Sequence, residues 1–422
     1  MTIAELYESR KDEPQWNTSY PLNPEDWADY RVAAPLPFSH DRQLSFYIHI
    51  PFCRQLCSFC EYTRMLCPDE ETQKRYLQAI AHDINEFKKQ YGNIVLEGFD
   101  IGGGTPTTLS ESNFSLLMEL FRNAKEGIEQ SEDFEPSIEA TFNTLSVAKL
   151  AGMAANGLHR LSLGVQSSSH SILNKHRRNY TDESQMAEWL SQAWDAGIRI
   201  INLDYMYGLE GQDTMTIDND LETIGRLHPQ QVTLYELRTN TTKAKGAFSK
   251  EELSAQYAQY FRGLTSMGYQ ARYGQNTFSM DAMDQGVSSY LRKRMLRGAS
   301  YKGFGLSAQS MSKCGIAYNK GKLSPQPQQH LNVDSYPEEY TYLLPARELA
   351  SKYLAISAYN GSFDTDRLHA FGIDMKTLKE PLDFCLSQGL LYEDHQHRMC
   401  ITPIGFDHYG AIFSLFHSPA KP

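Results

Sequence analysis

Short apolar runs alternate along the chain with stretches whose apolar positions recur at helical spacing. Leu44-Ser45-Phe46-Tyr47-Ile48-His49-Ile50 predicts a first strand. Ile94 to Ile101 predicts a second, which ends in Gly102-Gly103-Gly104. Ser137 to Phe142, Arg160 to Gln166, Ile198 to Met206 and Gln231 to Leu237 predict four more. All are of strand length and rich in β-branched, aromatic or Leu residues. Between them Phe114, Leu117, Met118 and Phe121 share one helix face, as do Ile217, Leu221, Ile224 and Leu227. Leu253, Tyr257, Tyr260, Phe261 and Leu264 follow the sixth strand on another. Six strand–helix units in series predict an α/β fold whose parallel sheet is open or partly closed into a barrel.

The two ends read differently. Residues 1–43 are polar and punctuated by Pro14, Pro21, Pro24, Pro35 and Pro37, which predicts an arm with little regular structure. Residues 44–335 hold the strand–helix series and an extension beyond it. In 336–422 a helix near Ala346 to Tyr359 precedes a helical stretch from Met375 to Ser387. A hairpin follows, from Leu390-Leu391-Tyr392-Glu393-Asp394 and Arg398-Met399-Cys400-Ile401-Thr402, and then a last helix over 404–416. That order predicts a small winged-helix-like α+β domain. From residue 361 onward it carries five basic and eight acidic residues, so packing or a lid suits it better than DNA binding.

Lys plus Arg number 40 and Asp plus Glu 51, a formal charge of −11 in 422 residues. That balance excludes a general nucleic-acid binder, which needs a basic footprint. No apolar run is long enough for a transmembrane helix, and Met1-Thr2-Ile3-Ala4-Glu5-Leu6 lacks the features of a signal peptide. The expected compartment is the cytoplasm. The 7 cysteines (Cys53, Cys57, Cys60, Cys67, Cys314, Cys385 and Cys400) are odd in number and clustered, so they predict metal ligation rather than a disulfide framework.

Cys53, Cys57 and Cys60 follow the first predicted strand directly. Three thiolates from one loop can hold three corners of a cubane iron–sulfur cluster and leave the fourth iron open to a ligand. A structural zinc site, with Cys67 or His49 as fourth ligand, is the plainer reading, and a set of buried free thiols is another. Glu139, Gln166 and Asp204 fall in or at the end of strands, where parallel architectures gather ligand sites. Gly102 to Gly104 let backbone amides come close to a ligand. Arg292-Lys293-Arg294 and Arg297 form a basic cluster, read as a solvated helix face or as a clamp for substrate carboxylates.

The Cys-x3-Cys-x2-Cys spacing resembles the signature of the radical S-adenosylmethionine (SAM) superfamily. Tyr47-Ile48-His49-Ile50-Pro51-Phe52-Cys53 and Phe59-Cys60 are similar to the oxygen-independent coproporphyrinogen III oxidase family and its haem-chaperone and methyltransferase relatives. The likeness continues through Gly102-Gly103-Gly104-Thr105-Pro106-Thr107, Arg160-Leu161-Ser162-Leu163-Gly164-Val165-Gln166-Ser167 and Asn202-Leu203-Asp204. It extends to Gly303-Phe304-Gly305-Leu306-Ser307-Ala308, Ile401-Thr402-Pro403-Ile404-Gly405 and, in the arm, Thr18-Ser19-Tyr20-Pro21.

The resemblance implies a partial (β/α)6 TIM-like radical SAM barrel holding a [4Fe-4S] cluster and one or two molecules of SAM. It implies Cys53, Cys57 and Cys60 as cluster ligands and, with Tyr47, as catalytic positions. It implies SAM contacts from Tyr47, Phe59, Gly103, Gly104, Thr105, Glu139, Gln166, Arg178 and Asp204, with Arg177 adjacent to Arg178. Further implications are a tetrapyrrole carboxylate as substrate, a flavodoxin- or ferredoxin-type electron donor, and a monomer without nucleic-acid or membrane partners.

Departures keep three readings open. Tyr62 stands where the oxidases carry a fourth cysteine, and Trp16-Asn17 where their arm has an arginine. Gln275-Asn276-Thr277-Phe278 lacks the His, Tyr and Trp of the chaperones. The readings are a coproporphyrinogen oxidase-like enzyme of porphyrin and haem synthesis, a radical SAM C-methyltransferase or cyclopropanase using a second SAM, and a haem-binding chaperone.

Overall fold

All six predicted strands form in the computed structural model, which describes residues 1–12, 20–21, 24–238, 246–284 and 286–417. They are β1 (Gln43–Ile50), β2 (Val95–Gly103), β3 (Ser137–Ala140), β4 (Arg160–Gln166), β5 (Ile200–Tyr207) and β6 (Gln231–Glu236). They pair in that order, every neighbour parallel. Leu44, Phe46, Ile48 and Ile50 of β1 are fully buried, and Ser45 and His49 on its other face are buried as well. Such two-sided burial is what a parallel sheet under crossover helices requires.

The crossovers include α1 (Glu70–Tyr91), α2 (Glu111–Lys125), α3 (Val147–Ala155), α4 (His170–Lys175), α5 (Glu183–Ala196) and α6 (Thr214–Leu227); α7 (Lys250–Ser266) follows β6. Phe114, Leu117, Met118 and Phe121 of α2 are buried against the sheet, as their spacing predicts. The sheet does not close. Beyond β6 it adds antiparallel β7 (Thr277–Ser279). Beyond β1 it adds β8 (Tyr301–Phe304), preceded in the chain by α8 (Ser289–Arg297), and then the antiparallel β9 (Gln309–Ser312), β10 (Gly315–Asn319) and β11 (Glu338–Leu343). The result is a partial barrel with a sheet extension on its first-strand side.

Three expectations need correction. The arm is not devoid of regular structure: Ile3–Arg10 is a helix with a capping box, where Glu5 N donates to Thr2 Oγ1 and Thr2 N to Glu5 Oε2. Its Tyr7 packs on Phe384 and His408, so tertiary docking holds a helix too short to stand alone. Thr18 and Ser19 lie outside the described residues. Second, β11 pairs with β10 and with the two-residue strand Arg31–Val32, so the main sheet runs past residue 335. The C-terminal unit starts at α9 (Ala346–Ser357). Third, the last helix is two pieces, Pro403–Phe406 and Tyr409–Ser414. His408 breaks it, its Nδ1 lying 2.9 Å from Lys11 O of the arm. The predicted hairpin is present, Leu391–Glu393 with Arg398–Ile401, and Ser362–Asp364 adds a third strand that was not expected. Among the described residues no helix is long and apolar enough to cross a membrane.

Candidate active site

The carboxyl ends of β1 to β6 surround a cavity of about 250 Å³. The chain leaves β1 through Phe52–Cys53, which pairs with Met65–Leu66 and closes the intervening loop. Within the loop Cys60 N donates to Cys57 O, Arg64 Nη2 donates to the same carbonyl at 2.6 Å, and Ser58 N donates to His176 O. The folded loop sets Cys53, Cys57 and Cys60, all free thiols, on one wall of the cavity. Thr105 Oγ1 donates to Cys53 Sγ and Arg178 Nη1 to Cys57 Sγ, both at 3.9 Å. Burial pushes the Cys53 thiol up to about 11 and raises that of Cys60, and thiolate charge at Cys57 raises both further.

A polynuclear cation resolves that tension, because it stabilises thiolates outright. Among the described residues no three His, Cys, Asp or Glu groups are placed to hold a single ion. A structural zinc site needs four protein ligands on one ion, whereas three free thiols from one loop are the donor set of a cubane in which each thiolate binds its own iron. The two alternative zinc ligands are engaged elsewhere. Cys67 Sγ accepts from Gln73 Nε2 at 3.4 Å, and the His49 ring bonds Tyr47 Oη and Thr63 O. The donor set therefore fits a [4Fe-4S] cluster with one iron left to another ligand.

The glycines act differently from expectation. The amides of Gly103, Gly104 and Thr105 are already used, by Glu139 Oε2 at 2.9 Å, Ile50 O at 2.8 Å and Phe52 O at 2.8 Å. Their lack of side chains provides close packing instead. A Cβ on Gly102 would lie 2.5 Å from the Glu139 carboxylate, and one on Gly103, at φ +113°, 2.3 Å from the His49 ring. The cradle presents a carboxylate, and that suits a cationic amino group.

Glu139 lies deep in the cavity yet open to its interior. Its surroundings push its pKa up to about 7 against the Gly103 N–H. Asp204 accepts from Ser162 Oγ at 2.9 Å and Asn202 Nδ2 at 2.7 Å; desolvation still raises it to about 6. Gln166 sits at φ +75° beside a register shift in β4, a strained backbone of the kind that collects at ligand sites. Arg178 borders the cavity and reaches the Gly164 carbonyl, whereas Arg177 is exposed and borders no part of it. Phe59, Gly103, Gly104 and Thr105 border it too. Tyr47 does not. Its hydroxyl lies 3.0 Å from His49 Nδ1 and its ring stacks on Tyr290.

The basic cluster is neither a solvated face nor one clamp. Lys293 is buried, with its ammonium on Asp133, Ser131 Oγ and Glu97 O, and Arg292 pairs with Asp133. Arg294 turns to Tyr290 and Tyr301, and Arg297 is exposed. Several wall residues escaped sequence reasoning. Arg238 follows β6 and pairs with Glu61 at 3.3 Å; its place after a strand was a usable signal. Glu236 accepts from Tyr207 and Tyr409, both at 3.3 Å. Tyr359, Phe406 and Tyr409 close the cavity from the C-terminal unit, which no local pattern announces.

Residues 47–224 match the family model of the radical SAM superfamily. The oxygen-independent coproporphyrinogen III oxidase of Salmonella typhimurium is 31% identical over 221 residues, 52% of this chain and 48% of that protein. The haem chaperone HemW of Bacillus subtilis is 30% identical over 193 residues, 46% of this chain and 50% of that protein. The chain thus spans about half the length of these relatives. The solved coproporphyrinogen III oxidase (HemN) of Escherichia coli superposes with a TM-score of 0.72 at 24% identity, over 90% of this chain and 91% of that one, and shares its fold.

Proposed function

The chain therefore carries a radical SAM domain, and on that premise we propose that it is a coproporphyrinogen III oxidase-like enzyme. It would oxidatively decarboxylate propionates of a tetrapyrrole, acting as a monomer with a flavodoxin- or ferredoxin-type electron donor. The observation that carries this reading is the meeting of three free thiols with Glu139, Gln166, Arg178 and Asp204 around one cavity. When bound, the [4Fe-4S] cluster and SAM supply reductive cleavage of the sulfonium and a 5′-deoxyadenosyl radical for hydrogen abstraction.

The chain's own groups do the positioning. Cys53, Cys57 and Cys60 hold the iron. The Glu139 carboxylate, oriented by the Gly103 N–H, takes the amino group of SAM. Asp204, fixed by Ser162 and Asn202, and Gln166 hold its polar remainder, and Arg178 takes its carboxylate. Phe59 packs against the bound molecule. Tyr47 orients the ring of His49, against which Gly103 is packed. Tyr359, Phe406 and Tyr409 exclude water from the open side.

The likeness to the haem chaperone HemW supports a second reading, haem binding without turnover. One anaerobic assay separates them. The protein is reconstituted with iron and sulfide, given SAM and a strong reductant, and 5′-deoxyadenosine is measured with and without coproporphyrinogen III. Release that rises with the porphyrinogen, together with a vinyl-bearing product, is expected. Release without stimulation favours a methyltransferase- or cyclopropanase-like enzyme with a second SAM. No release from a loaded cluster, with haem retained on gel filtration, favours the chaperone.

A further inference from the structure

Arg294 and Lys352 differ from Lys293 in what they face. Lys293, on the same helix α8, is matched by Asp133 at 2.7 Å and Glu97 at 3.9 Å. Arg294 meets only neutral phenols. Its Nη1 donates to the Tyr290 hydroxyl at 2.7 Å and its Nη2 to that of Tyr301 at 3.3 Å, with the guanidinium 4.1 Å from the Tyr301 ring centroid. Lys352, on α9, donates to the carbonyl of Tyr20 at 2.9 Å. Among the described residues neither has a carboxylate within 4.0 Å. Both border one small cavity of about 50 Å³.

The two cavities are neighbours along the chain: Lys352 and Ile356 of α9 border the small one, and Ala358 and Tyr359, in the 3-10 turn just past α9, border the large one. The Arg238 guanidinium, which also pairs with Glu61, lies 5.1 Å over the Tyr359 ring. Lys322 comes in from the turn after β10. Burial, then Arg294, Lys322 and Arg238, hold the Lys352 ammonium down to about 7. Arg238 has Glu61 as its partner, but Arg294 and Lys352 have no carboxylate at ion-pair distance among the described residues, and an anion between them would relieve both. The planar fork of arginine takes a carboxylate through two parallel bonds, and the phenols already fix its orientation.

We propose that Arg294 and Lys352, with Lys322 near Lys352, form a receptor for the carboxylates of a polyanionic substrate, on the side of the active-site cavity bounded by Ala358 and Tyr359 just past α9. The receptor itself is argued from these unmatched charges; only the identity of the polyanion rests on the function proposed above. Most of the contiguous basic run is structural, and the receptor is assembled from residues far apart in the chain.

The test uses the full chain and two probes, coproporphyrin III and its tetramethyl ester, followed by porphyrin fluorescence anisotropy. The tetracarboxylate should bind and the ester only weakly. Arg294→Gln and Lys352→Met should each weaken tetracarboxylate binding roughly tenfold or more, Lys352→Arg should retain it, and SAM affinity should be unchanged. Arg297→Gln, at an exposed position of α8, is the control. The Arg294 and Lys352 variants lie on separate elements, so a folding defect in one, read from its thermal melt, leaves the other to decide. Equal binding by the wild type and the folded variants would overturn the receptor and leave the proposed function standing. If coproporphyrin III does not bind the wild type, that function loses its substrate, and tricarballylate decides the receptor. A raised Tm in the wild type but not in Lys352→Met supports the receptor, and no rise in the wild type overturns it.

Discussion

The two rims of the parallel sheet hold similar polar residues and treat them in opposite ways. At the amino ends of the strands, Arg160 pairs with Glu135 at 3.1 Å and Asp284 at 3.7 Å and also contacts Gln231. Lys293 is closed off in the same manner. Both of these buried cations have an anion from a neighbouring element. At the carboxyl ends, Cys53, Cys57, Cys60, Glu139, Asp204 and Arg178 face a cavity. The lesson is that polarity alone does not mark function. What separates the rims is whether the protein satisfies its polar groups or leaves them for something else.

The comparison breaks most completely at the thiols. Cys53→Ala, Cys57→Ala or Cys60→Ala should each bring SAM cleavage to background and abolish the iron–sulfur absorption of the reconstituted protein. Full iron content and turnover in every variant would remove the cluster assignment. Next in size is the amino-end rim. Arg160→Met leaves two carboxylates without their cation and should destabilise folding by about 3–5 kcal/mol. Urea titration reads that loss, and SAM affinity of the folded fraction should not change. An equal loss of SAM affinity would show that the rims are not separable.

Glu139→Gln and Asp204→Asn sharpen the contrast from the other side. Each should weaken SAM binding by roughly tenfold to a hundredfold, with the cluster spectrum intact and folding stability kept. Loss of the cluster in either variant would instead mark a structural role. The smallest effect is in pH. With its pKa near 7 in the ligand-free protein, Glu139 is mostly protonated at pH 6 and must lose that proton to receive a cationic amino group. SAM affinity should therefore fall from pH 8 to pH 6, by no more than about tenfold per unit, and Glu139→Gln should flatten the profile. The same group makes the ligand-free protein lose stability as pH rises from its ordinary value near 4.5 to about 7, because the folded state holds the extra proton over that window.

Much of the barrel was legible because its signals are local. A strand covered on both faces, such as β1, keeps Leu44, Phe46, Ile48 and Ile50 at alternate positions of one buried face, and an amphipathic crossover such as α2 must repeat at helical spacing. The arm misled because its prolines are conspicuous, while the Thr2–Glu5 capping box is two residues of quiet composition. The boundary at residue 335 misled because β11 belongs to the main sheet through pairing with β10 and Arg31–Val32, strands that its own sequence does not point to. The basic run misled in another way. Neighbours on a helix point apart, so Lys293 and Arg294, adjacent in sequence, serve different neighbourhoods.

The sequence by itself determined the order of the six parallel strands and the loop of three cysteines, along with the strands that carry Glu139, Gln166 and Asp204. Those are properties of short windows, where side-chain period and turn chemistry act within a few residues. Only the tertiary structure decided that the glycine amides are taken, that Arg178 and not Arg177 reaches the cavity, and that the Tyr47 hydroxyl meets the His49 ring. It alone brought Tyr409 to Glu236 and set Lys352 across a small cavity from Arg294. The physical reason is that such meetings depend on which partner satisfies a buried group, and partners far apart in the chain are chosen by packing.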